Sequence, residues 1–206
     1  TSQCLANSLW AAARLHLFGA KVEDFMRRSL QDLCMVRQLR IFTPQGLANI
    51  LWAIAELSAG ISVDRVASLA PSGVEVTVEL VFLRVASDAG ERLQDFRPQD
   101  LSMIAWACAK LYGRSVPAGE RRGRRQGNVR CRPQEIDVFL LAVAEEARRH
   151  LPAASPQSVS NIAWALATFD LLAVRGDRTS GRDFLRDAMD QATKELANYS
   201  PQAVAN

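Results

Sequence analysis

The stretch "TPQGLANILWAIAEL" at Thr43–Leu57 returns as "RPQDLSMIAWACAKL" at Arg97–Leu111 and as "SPQSVSNIAWALATF" at Ser155–Phe169. A copy without the proline, "SQCLANSLWAAARL", begins at Ser2, and "SPQAVAN" runs from Ser200 to Asn206. With the motif glutamine as phase marker, Gln3, Gln45, Gln99, Gln157 and Gln202 are 42, 54, 58 and 45 residues apart. A unit of this size cannot bury its apolar face alone and folds by stacking on its neighbours. The recurrence therefore predicts an all-α protein, a right-handed α-solenoid of stacked helix pairs with about four and a half repeats. The whole of 1–206 reads as a single array, and because both ends fall inside the motif it is expected to be a segment of a longer chain.

Each motif is written as a helix. Thr43, Ser155 and Ser200 suit the N-cap, and the proline after them suits the first helical position, where its missing N–H has no partner to lose. Arg97 breaks that pattern, so its helix is expected to start less firmly. At 100° per residue, Leu47, Ile50, Leu51 and Ile54 share one apolar face, while Gln45, Asn49, Trp52 and Glu56 form a second stripe. Between motifs the amphipathic spacing predicts partner helices at Val22–Leu39, Val74–Phe96, Pro133–Leu151 and Arg182–Tyr199. The run "VEVTVELVFLRV" at Val74–Val85 is β-branched and partly alternating, so a strand competes with the helix there.

The repeat signature consists of Gln45, Asn49 and Trp52, of Gln99 and Trp106, and of Gln157, Asn161 and Trp164. A Trp at one fixed position beside Ala11, Ala53, Ala107 or Ala165 reads as a packing knob between helix pairs, and that reading is taken over base stacking. The recurring amides read as an internal hydrogen-bonding device. Variable stripe positions are the candidates for reading an RNA: Asp100 and Ser158 beside the motif glutamine, Arg14 and Lys110 farther along. Neutral drift on a solvated face accounts for the same variation.

The most charged segment, "GRSVPAGERRGRRQGNVRCR" at 113–132, carries seven Arg against one Glu, a local +6; the rest of the chain has 18 basic and 21 acidic residues, net −3. Such a sequence predicts a flexible arginine-rich insertion. Arg121, Arg122, Arg124, Arg125, Arg130 and Arg132 are its candidate RNA-phosphate contacts, set against the plainer reading of a solvated loop tip. Arg supplies 22 of the 25 basic residues.

Other chemistries find little support. Cys4, Cys34, Cys108 and Cys131 match neither a metal pair nor a disulfide framework and read as reduced thiols. His16 and His150 show no Cys or acidic neighbour at ligand spacing, and acidic pairs such as Glu145–Glu146 read as solvated helix faces. No phosphate loop, nucleophile elbow or catalytic carboxylate pair is present, so no enzyme, metal or cofactor is expected. No apolar run is long enough for membrane insertion.

The pattern Pro-Gln-x-Leu-x-Asn-x-x-Trp-Ala-x-Ala-x-Leu, at Pro44–Leu57 and with changes at Pro98–Leu111 and Pro156–Phe169, resembles the octotricopeptide-like repeats and the related helical repeats of RAP-domain proteins in algae, dinoflagellates and apicomplexans. That resemblance implies an α-solenoid in a mitochondrion or plastid that binds organellar RNA, rRNA included. The implied roles are RNA processing or stability, translation or ribosome assembly, among other proteins of an organellar complex. The alternative is a scaffold subunit of a large assembly such as a mitoribosome, held mainly by protein–protein contacts.

Overall fold

A computed structural model describes residues 1–36, 38–60, 68–69, 75–113, 116–117, 131–171 and 179–194. The described residues are mostly helical. The four long motif copies are helices α1 (Ser2–Arg14), α3 (Pro44–Gly60), α5 (Pro98–Tyr112) and α7 (Pro156–Thr168). The partner helices are α2 (Ala20–Gln31), α4 (Val78–Gly90), α6 (Gln134–Arg149) and α8 (Thr179–Lys194). The closing motif at 200–206 lies outside the described residues.

The chain divides into two compact units, Thr1–Phe96 and Arg97–Asn206. In the first unit α1 packs on α3, and α4 packs on the π-helical turn Asp32–Val36 that ends α2. In the second, α5 packs on α7 and α6 on α8. Motif helix thus lies on motif helix in each unit, and partner helix on partner helix in the second. The apolar stripe explains why: Leu47, Ile50, Leu51 and Ile54 of α3 are fully buried, as are Leu101 and Ile104 of α5, each contributing about 1.5–3 kcal/mol relative to exposure. The two motif helices come close at Gly46, where an added Cβ would reach ordinary van der Waals contact with the Ala6 Cβ at 3.7 Å.

Three partner helices end earlier than their apolar periodicity suggests. The residues leading into each motif form a 3-10 turn instead, at Leu39–Ile41, Leu93–Asp95 and Leu151–Ala153. Its leucine is buried each time, and Phe42 and Phe96 are buried just behind the first two. In the first unit the Arg92 guanidinium donates to the carbonyls of Phe42 and Leu39 at 3.1 and 3.2 Å, tying the end of α4 to this turn.

The ambiguous stretch at 74–85 contains both elements. Glu75–Val76 pairs antiparallel with Ser68–Leu69, and α4 begins at Val78, later than the helix read from sequence, where the Thr77 hydroxyl accepts from the Leu80 N–H at 3.1 Å. A second two-residue ladder, parallel, joins Val116–Pro117 to Cys131–Arg132. These four strands are β1 to β4 in chain order. No helix among the described residues is long and apolar enough to cross a membrane.

Candidate nucleic-acid interface

The helix starts explain the variable position beside the motif glutamine. Cys4, Gly46, Asp100 and Ser158 each stand three residues after the N-cap. The Thr1, Thr43 and Ser155 hydroxyls accept from the N–H of Cys4, Gly46 and Ser158 at 3.2, 3.1 and 3.1 Å. Arg97 has no acceptor to offer, and the bond runs the other way: the Asp100 carboxylate accepts from the Arg97 backbone N–H at 3.3 Å and from its guanidinium at 3.1 and 3.3 Å. The expected weak start of α5 is thus replaced by a carboxylate placed where the helix dipole favours it. Hydrogen bonding to Asp100, with its charge, raises the Arg97 pKa above its ordinary value.

Asp100 and Ser158 are consequently poor candidates for reading a ligand. Asp100 is 2% exposed and Ser158 is also buried, both engaged in starting their helices. The other variable positions differ, since Arg14 and Lys110 are exposed. Lys110 lies 5.2 Å from the centre of the Trp106 ring, within cation–π range.

Two of the four indoles are not buried knobs. Trp10 is 38% exposed and Trp164 37%, while Trp52 and Trp106 are partly covered. The alanines following the last three, Ala53, Ala107 and Ala165, are fully buried. Trp10 and Trp52 do meet across α1 and α3, with ring centres 6.4 Å apart and planes at 38°, a tilted pair of the usual aromatic kind.

The repeated amides bond within their own helix. Gln3 Nε2 donates to Asn7 Oδ1 at 3.0 Å, and Gln157 Nε2 donates to Asn161 Oδ1 at 2.8 Å. In α3 Asn49 is buried beside exposed Gln45, and in α5 Met103 takes the asparagine's place after exposed Gln99.

Arg132, placed with the phosphate-binding arginines by composition, belongs to the fold. It is 3% exposed, with Nε 2.5 Å and a terminal nitrogen 3.3 Å from the two carboxylate oxygens of Asp137, and it donates to the Phe169 carbonyl at 3.2 Å. Its guanidinium carbon stands 4.2 Å from the Phe169 ring centre. The bidentate carboxylate and the stacked ring satisfy the planar cation inside the unit. Arg121, Arg122, Arg124, Arg125 and Arg130 lie outside the described residues.

Two further expectations change. Glu146 is buried, not solvated: it accepts from Arg149 at 2.8 Å and faces His150 Nε2 at 3.1 Å, while Glu145 pairs with Arg148. His16 likewise has an acidic neighbour, its Nδ1 lying 3.9 Å from Glu56. Among the described residues no group of three or more His, Cys, Asp or Glu side chains is placed to hold a metal ion. Burial pushes the Cys108 thiol pKa far up, so it stays protonated and inert at neutral pH.

No family model matches the chain, and it matches no curated protein and no solved structure.

Proposed function

We propose that this chain is an RNA-binding helical-repeat protein, a right-handed α-solenoid that acts on organellar RNA in a mitochondrion or plastid, in RNA processing or stability, translation or ribosome assembly. The observation that carries the reading is the arginine insertion between α5 and α6. With Arg132 engaged by Asp137, six further arginines stand in 113–132 against the single Glu120. Clustered guanidinium groups repel one another until a polyanion neutralises them and releases its counterions. Amphipathic helices flank this segment on both sides, and arginine-rich segments fold on contact with RNA.

Crosslinking in the native organelle, followed by sequencing of attached RNA and mass spectrometry of attached protein, tests this directly. Reproducible enrichment of defined RNA segments is expected. Protein neighbours without RNA would favour the second reading, a scaffold subunit of a large organellar assembly. The net −3 of the chain outside the insertion supports that alternative, because it gives a polyanion no net attraction there.

A further inference from the structure

The same device occurs twice, once in each compact unit. On α1, Gln3, Asn7 and Trp10 are all exposed; on α7, Gln157 and Trp164 are exposed and Asn161 is half-covered. The asparagine precedes the tryptophan by three residues, so amide and indole share one helix face about a turn apart. The two bonds from Gln Nε2 to Asn Oδ1 have the same polarity. Each uses one glutamine donor and the asparagine oxygen, which leaves the glutamine oxygen as an acceptor and the asparagine amino group as a donor. Next to them stands a tryptophan more than a third exposed.

We propose that these two faces are base-stacking sites for single-stranded RNA, the indole holding one base by its π-face and the neighbouring amides meeting its hydrogen-bonding edge; this rests on the RNA-binding reading above. A nucleobase needs a flat apolar surface and adjacent donors and acceptors, and an exposed indole beside an amide pair provides both. On α1 the exposed Arg14, one turn beyond Trp10, adds a cation for the phosphate. The 38° tilt between Trp10 and Trp52 excludes a parallel slot between the two rings. The base therefore lies on the open face of Trp10, with Trp52 bracing the ring from the other helix. The intervening motif helices lack the complete device, because Asn49 is buried in α3 and Met103 replaces the asparagine in α5. Among the described residues two sites, rather than one per repeat, follow from that difference.

The test compares two probes of equal charge on the full chain: a single-stranded adenosine 12-mer and an abasic ribose-phosphate 12-mer. The parent should prefer the base-bearing strand by about 10-fold or more, as base–aromatic stacking allows. The double variant Trp10→Leu/Trp164→Leu should bind both probes equally and keep the parent's affinity for the abasic one. Trp10→Phe/Trp164→Phe, which keeps a ring at each site, should retain part of the preference and covers the case in which the leucine variant fails to fold. A leucine variant with the full preference, a phenylalanine variant with none, or a parent that binds both probes alike would overturn the stacking sites and leave the arginine arm intact. A parent that binds neither probe would overturn both readings. Loss of a co-purifying protein with the base preference unchanged would make these faces protein surfaces instead.

Discussion

Val76 and Arg132 hold the same position before their partner helices, and both are buried, with opposite chemistry. Each is the second residue of a two-residue strand and stands two positions before its partner helix, α4 or α6. Val76 fills its place with methyl groups. Arg132 fills the equivalent place with a charge, and Asp137, the Phe169 carbonyl and the Phe169 ring are arranged around it. In each unit a buried side chain plugs the position two residues before the partner helix, and at Arg132 the surrounding carboxylate, carbonyl and ring match its charge. The helix starts teach the same lesson: a hydroxyl at Thr43 and a carboxylate at Asp100 do one job from opposite ends of the first turn.

Breaking the charged plug should have the largest effect. Arg132→Ala removes the bidentate guanidinium from buried Asp137 and should cost about 3–5 kcal/mol in chemical denaturation. The double variant Arg132→Met/Asp137→Leu should recover most of that loss, because a packed apolar pair replaces a buried ion pair at little cost. A double variant as unstable as Arg132→Ala would show that the charge itself, beyond the plug, is required. At the apolar plug, Val76→Ala should cost about 2 kcal/mol, the sum of reduced burial and a small cavity; a destabilisation equal to that of Arg132→Ala would erase the distinction.

The helix starts come next. Asp100→Ala and Thr43→Ala should each cost about 1 kcal/mol, as removal of a cap does. Restoring a hydroxyl with Arg97→Ser in the Asp100→Ala background should recover α5, measured as the shift in thermal midpoint. Failure of the serine to recover it would assign Asp100 a role other than capping.

How much of this was legible depended on whether a local rule governed the residue. The motif helices follow from Pro at the first position and from the apolar stripe, and α3, α5 and α7 begin at the proline as those signals predict. Leu39, Leu93 and Leu151 misled because a leucine that seeds a buried 3-10 turn continues a helical period just as well. The role of Asp100 was readable from capping geometry, since it lies three residues after a cap that cannot accept. Arg132 was not, because its composition groups it with the insertion while its partners, Asp137 and the Phe169 carbonyl, are set by the fold. The exposure of Trp10 and Trp164 depended on how far each ring overhangs the helix contact, which spacing alone does not fix.

The salt dependence of RNA affinity measures most directly whether the arginine insertion is a phosphate-binding arm. For a single-stranded RNA, the change Arg121→Gln/Arg122→Gln/Arg124→Gln/Arg125→Gln should flatten the slope of log affinity against log salt by about 0.7 for each phosphate that the arm no longer neutralises, with the melting temperature nearly unchanged. An unchanged slope in the folded variant would contradict the arm's role and turn the assignment toward the scaffold.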